Sequence, residues 1–65
     1  MPLVTIKLWE GHSKEEKRKL IQNVTKTVAE TLNKPIEYVH LVIHEEPKDN
    51  WGLHGDQASE VDKTE

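Results

Sequence analysis

The sequence has no cysteine, no phenylalanine, one arginine (Arg18) and only three aromatic residues, Trp9, Tyr38 and Trp51. Without cysteine there is neither a disulfide framework nor a thiolate metal site. Hydrophobic residues make up 34% of the 65. An average globular chain is roughly 45–50% apolar with glycine counted. A chain this short and this polar buries too little surface to stand comfortably alone, so association with further copies is the default expectation. No apolar run approaches the roughly 18 residues of a membrane span, and the N-terminal residues lack the charged and apolar regions of a signal peptide. The net charge is −3 with both signs interspersed, which offers no basic patch to nucleic acid. These absences lead us to expect one domain over residues 1–65, a cytoplasmic location, no nucleic-acid partner, no membrane partner and a homo-oligomer.

What is present has a clear order. Residues 2–8 alternate, with Pro2, Val4, Ile6 and Leu8 on one face and Leu3, Thr5 and Lys7 on the other, as a strand requires. Gly11 marks the loop that follows. Ser13 and Glu16 form a capping box, and Leu20, Ile21, Val24, Thr27, Val28, Thr31 and Leu32 fill one helical stripe. Asn33 suits a left-handed C-cap and Pro35 closes the helix. A second strand follows, with Val39, Leu41 and Ile43 on one face and His40, Val42 and His44 on the other. Residues 48–50 read as a turn and residues 51–55 as a small hairpin. From Asp56 onward the chain reads as a polar tail, so the folded part is expected over about 2–55 and the tail over 56–65. The predicted class is α+β: a single β-α-β subunit with parallel strands and a right-handed crossover, plus a short C-terminal hairpin. Such a subunit leaves one sheet face and two strand edges uncovered.

Pro2 opens the first strand, and two readings of it are open. Proline lacks an amide hydrogen, so a strand's first position is where it is tolerated. Alternatively, loss of Met1 would make Pro2 a secondary amine. An ordinary α-amino group titrates near ~7.7–8, and an apolar pocket lowers that value. Such an amine is a general base suited to neutral pH.

Several features together resemble the short-chain members of the tautomerase superfamily, the 4-oxalocrotonate (2-hydroxymuconate) tautomerase group. They are the opening Met1-Pro2, the Glu10-Gly11-x-Ser13 turn into a helix bearing Lys17, and Leu20-Ile21. Further along come Pro35, Val42-Ile43, and Lys48 ahead of the run from Trp51 to Gly55. The resemblance spans residues 2–55. It implies a β-α-β subunit in a hexamer, a trimer of dimers, with an amino-terminal proline as base. It also implies a cofactor-free, metal-free reaction that moves a proton from an enol oxygen to carbon in a small anionic enol or keto acid. Two arginines bind the substrate in the family. At those places this chain has His12 and His40, and Arg18 does not inherit the role. The aromatic wall of the pocket falls on Trp51. Leu53 stands where some relatives carry a water-activating acid, which counts against dehalogenation or hydration.

His12 and His40 admit three roles. Arginine is permanently charged and grips a carboxylate with two parallel bonds, whereas imidazole offers single bonds and a charge that changes around neutrality. They are turn and strand residues without chemistry, donors to a smaller or less charged substrate, or ligands of a metal shared between subunits. His40 and His44 lie about 13 Å apart along a strand and do not share an ion. His44 and His54 read as structural or solvent-facing, and Lys17 as a snorkelling side chain. Trp9 and Trp51 are expected to bury area at subunit contacts. Two alternatives to tautomerisation stay open: a member with lost or altered chemistry, and a decarboxylation through a Schiff base on the Pro2 amine.

Overall fold

A computed structural model describes residues 1–61. Strand β1 (Leu3–Trp9) leads into helix α1 (Lys14–Leu32), and strand β2 (His40–Glu46) follows. The strands pair in parallel with Leu3 opposite His40, Ile6 opposite Ile43 and Trp9 opposite Glu46. The β-α-β unit is therefore as its hydrophobic pattern predicts. Single-turn 3₁₀ helices at Ile36–Tyr38 and Lys48–Asn50 fill the places expected to be connections. No described helix is long and apolar enough to cross a membrane.

Local chemistry sets both ends of α1. The Ser13 side chain accepts a hydrogen bond from the Glu16 N–H at 3.0 Å, and the Ser13 N–H donates to the Glu16 carboxylate at 2.9 Å. A cap of this kind stabilises a helix by roughly 0.5–2 kcal/mol. At the other end Asn33 adopts the left-handed conformation, φ 55° and ψ 49°, and the Lys34 N–H donates to the Ala29 carbonyl at 2.9 Å. That six-to-one bond is the Schellman closure.

The helix packs with Leu20, Val24, Thr25, Val28 and Ala29 turned inward, over Val4, Ile6 and Leu8 of β1 and Leu41 and Ile43 of β2. The predicted stripe was rotated slightly. Ile21 (39% accessible) and Leu32 are exposed, as are Thr27 and Thr31, while Thr25 and Ala29 take inward places. Thr27 instead donates to the Asn23 carbonyl at 3.0 Å, the bond a helical threonine makes when its side chain has no core to enter. Lys17 does not merely snorkel. Its ammonium donates to the Glu45 carboxylate on β2 at 2.8 Å, with both side chains about two-thirds buried.

The expectation of a tail beginning at Asp56 is corrected by the structure. Strand β3 (Gly52–Leu53) pairs antiparallel with β4 (Asp56–Gln57), and a short helix α2 (Ala58–Val61) follows. The turn is at His54-Gly55, with φ of 56° and 78°. Two successive positive φ values make a type I′ reversal, which suits the twist of a hairpin. The reversal returns the chain to Trp51, whose carbonyl accepts the Ala58 N–H at 2.8 Å. Ala58 is fully buried there, and Ser59 donates to the Asp49 carboxylate at 2.6 Å. The rest of the expected tail, 62–65, lies outside the described residues.

This fold has almost no core of its own. Among the described residues only Ala29 and Ala58 are buried, and no large side chain is fully enclosed. The Cα radius of gyration is 14.8 Å, against about 11 Å for a compact domain of this length. On the sheet face away from α1, Leu3 is 63% and Val42 43% accessible. With the conformational cost of folding at roughly 1–2 kcal/mol per residue, so little burial leaves the subunit dependent on further contacts.

Candidate active site

The sequence-predicted site residues fall at the two ends of the sheet. Pro2 immediately precedes β1 and is half-buried. Its carbonyl accepts the His40 N–H at 3.0 Å, so the structure brings Pro2 and His40 together. Their side chains belong to opposite faces. Pro2 continues the helix-facing set of Val4, Ile6 and Leu8, whereas His40 is the register partner of Leu3 on the open face. Exposed Met1, Leu3, Ile36 and Tyr38 surround this end. These make an apolar rim that sequence reading missed for Ile36 and Tyr38.

His12 and Trp51 are at the other end. Seven strand residues separate Pro2 from the loop beyond Trp9, about 23 Å at 3.3 Å per residue. His12 lines a cleft of about 220 Å³ with Leu8, Glu16, Lys17 and Leu20. Its Nδ1 is 3.7 Å from the Glu16 carboxylate. That carboxyl is held below its ordinary value, chiefly by the hydrogen bond from the Ser13 backbone, with the His12 side chain adding to the effect. His12 thus stands beside an ionised carboxylate.

Trp51 sits in a small cluster. Its ring meets Trp9 edge-to-face, with centroids 5.8 Å apart and planes at 80°. The Lys48 ammonium lies 4.7 Å from the Trp9 ring centroid, in cation–π range. The Trp9 indole N–H is buried without a hydrogen-bond acceptor. Trp51 also borders a cleft of about 390 Å³ with Lys7, Glu46, Asn50 and Gly52. Lys48 was noticed in the sequence only as part of a motif; its placement over Trp9 depends on the 3₁₀ turn at Lys48–Asn50. Among the described residues, no three His, Asp or Glu side chains converge as a metal-ligand set.

One chain therefore holds a proline and a histidine at one end of its sheet and an aromatic wall with a second histidine at the other. A parallel β-α-β unit that opens on proline, is closed by a hairpin and is bare on one sheet face is the arrangement the resemblance implies. The family model described as "Tautomerase enzyme" matches residues 2–60, and the chain belongs to that family, in its 4-oxalocrotonate tautomerase-like branch. It is an isomerase of the keto-enol tautomerase type. It is 45% identical to a probable tautomerase of Halalkalibacterium halodurans over 60 residues, covering 92% of this chain and 98% of that one. It is 39% identical to the 2-hydroxymuconate tautomerase of Comamonas testosteroni, covering 94% and 97%. A heterohexameric 4-oxalocrotonate tautomerase of Chloroflexus aurantiacus superposes with a TM-score of 0.89 at 31% identity, covering 95% of this chain and all of that one.

Proposed function

We propose that this tautomerase acts on a small 2-hydroxy-dienoate or enol-pyruvate-type acid, with Pro2 as its general base once Met1 is removed. The Pro2 nitrogen takes the hydroxyl proton of the enol. The electrons of that O–H bond re-form the carbonyl, and the proton is delivered to the carbon at the far end of the conjugated system. No cofactor or metal is called on. The single observation that carries this reading is the position of Pro2: half-buried, at the start of β1, on the face that continues into the apolar set under α1. Partial burial favours the neutral amine, the form a base needs.

His12, His40 and Trp51 are the proposed substrate contacts. Because the two ends of one sheet are about 23 Å apart, a complete site needs the Pro2 end of one copy against the Trp51 end of another. The enzyme is accordingly a homo-oligomer, and a hexamer built as a trimer of dimers satisfies this for every copy. The near absence of a core supports association, and the heterohexameric relative supports the number. The lack of cysteine fits a reducing cytoplasm.

One observation favours a second reading, altered chemistry. Both places where the resemblance implies arginine are histidine, and His12 faces a carboxylate. A deprotonated Pro2 amine could then serve as a Schiff-base nucleophile toward a keto acid.

The experiment is turnover of 2-hydroxymuconate and phenylenolpyruvate by the mature chain and by Pro2→Ala, with intact mass recorded for both. Loss of Met1 and a fall of at least about 10²-fold in the variant are expected. Equal turnover by the two chains rules out proline as the base. Covalent trapping of a keto acid on Pro2 by borohydride would establish the second reading.

A further inference from the structure

The charges around the His12 cleft are unequal. Leu8 of β1 and Leu20 of α1 are its half-buried apolar walls, and Glu16 and Lys17 complete it at about 220 Å³. Lys17 is the fixed cation among these residues, and it is already engaged. Glu45 is the register partner of Leu8, so its carboxylate rises on the helix-facing side of the sheet and accepts from the Lys17 ammonium at 2.8 Å. The two side chains are 30% and 29% accessible. A pair this sheltered is screened less than one in open water. Lys14 and Arg18, the neighbouring cations of α1, line a separate groove with Ile21 and Ile43.

Glu16 faces a different partner. Its carboxylate lies 3.7 Å from the His12 Nδ1, so what it meets is an imidazole and not a permanent cation. The Ser13 N–H donates to the same carboxylate oxygen at 2.9 Å and holds the group ionised across the neutral range. With the imidazole neutral, Glu16, Glu45 and Lys17 leave the cleft with an excess of negative charge. A carboxylate entering it meets like charge. An uncharged group meets two leucines, and the space suffices for a ring, since an apolar cavity of about 150 Å³ takes benzene.

We infer that the His12 cleft is a specificity pocket for the uncharged end of a monocarboxylate substrate: Leu8 and Leu20 are its walls, Glu16 repels a second carboxylate, and Glu45 masks Lys17, the cation that would otherwise bind one. The inference rests on the proposed reaction of a small enol acid. It narrows that substrate class to monoacids with a compact apolar tail, such as an enolpyruvate bearing an aryl or branched alkyl group. The substrate's single carboxylate and its enol are left to the Pro2 and His40 end of the neighbouring copy. Glu16 and Glu45 act on selectivity through charge and touch neither the base nor the transferred proton.

Calorimetric binding of two acids that carry no enol tests this at pH 8, where imidazole is ordinarily neutral. Cinnamate has one carboxylate and a ring; trans,trans-muconate has two carboxylates. Wild type is expected to bind cinnamate about tenfold more tightly. Glu16→Gln removes a negative charge while glutamine at this position keeps the capping box, and Glu45→Gln unmasks the ammonium. Each should move the affinity ratio about two- to fivefold toward muconate. Lys17→Gln leaves Glu45 unmatched and should move the ratio the opposite way, a reversal of sign that a merely structural role does not give. All three shifts should shrink when salt is raised from about 0.05 to 0.5 M. The same order is expected in KM for phenylenolpyruvate against 2-hydroxymuconate. If Glu45→Gln fails to fold, Glu16→Gln and the salt series read the same excess charge. A wild type that prefers muconate or binds neither acid, or a ratio indifferent to the substitutions, overturns the inference. Equal turnover by wild type and Pro2→Ala overturns the proposed reaction instead, and the affinity ratios still report on the cleft.

Discussion

The two ends of the sheet are built differently. The Pro2 end is largely apolar and uncovered: Met1, Leu3, Ile36 and Tyr38 are all exposed, and the His40 N–H donates to the proline carbonyl. The opposite end is polar and internally tied. Ser13, Glu16 and His12 form one network, Lys17 and Glu45 another, and Lys48 rests on the Trp9 indole. One end has the proposed base and little to hold a substrate. The other has an aromatic wall, clefts and titratable side chains but no candidate base with proline's properties. Under the proposed function, the difference makes each subunit half a site twice over. The same proposal gives a chain with two buried alanines and no enclosed large side chain among its described residues a source of stability, the cover of its bare surfaces by a second copy.

This contrast can be broken or sharpened in order of expected effect. Blocking the amine at the Pro2 end should matter most. A chain that retains Met1, made by placing a bulky residue ahead of Pro2, should lose about 10²–10⁴-fold in turnover while still assembling, as seen by activity alongside sedimentation. Removing the wall at the other end comes next. Trp51→Ala should lower kcat/KM by about tenfold, mostly through KM, because it deletes apolar contact and leaves the base intact. A smaller effect reports on the histidines. For an anionic substrate, His12→Ala with His40→Ala should raise KM several-fold with little change in kcat, because it deletes hydrogen-bond donors and leaves the base intact. An unchanged KM in that variant would remove His12 and His40 from binding.

The smallest effects concern the scaffold of the polar end. The Glu16 carboxyl is held below its ordinary value of 4.5 by the Ser13 backbone. A depressed carboxyl contributes stability that is fully present above the unfolded value and is lost as pH falls through the folded one. Glu16→Gln should therefore lower the thermal midpoint at pH 7 and merge with wild type at acidic pH. Trp9→Phe keeps an edge-to-face ring against Trp51 and removes a buried donor that has no acceptor. Its cost should stay within about 1 kcal/mol by denaturant melts, less than a core truncation.

Much of this organisation is legible in the residues. The alternation of Val4, Ile6 and Leu8, the capping box, and Asn33 ahead of Pro35 specify strand, helix start and helix end by local chemistry alone. What escaped is what depends on distant neighbours. Asp56-Gln57-Ala58-Ser59 has the composition of a tail, and nothing in alanine's side chain announces that Ala58 is enclosed. Its burial follows from a reversal at His54-Gly55, where a non-glycine residue takes the positive φ that few side chains adopt. The helix phase differs at Ile21 and Thr25 because the contact with the two-stranded sheet is narrow: Ile21 lies on the exposed flank of α1 and Thr25 takes an inward place. For the site, the residue types could be proposed from the resemblance, but their separation could not. It follows from counting strand residues between Pro2 and Trp9, a step that becomes meaningful once the register is known.

The most direct test of a site shared between unlike ends is complementation. Pro2→Ala lacks the base end, and the double variant His12→Ala, Trp51→Ala lacks the binding end. The first should be nearly inactive alone, and the second strongly impaired at substrate concentrations below KM. If the two ends of different copies make one site, unfolding and refolding the pair together should restore a substantial fraction of wild-type turnover, because mixed oligomers contain contacts with both ends intact. A mixture that assembles into hetero-oligomers, verified by mass, yet remains as inactive as its parents would contradict the shared site.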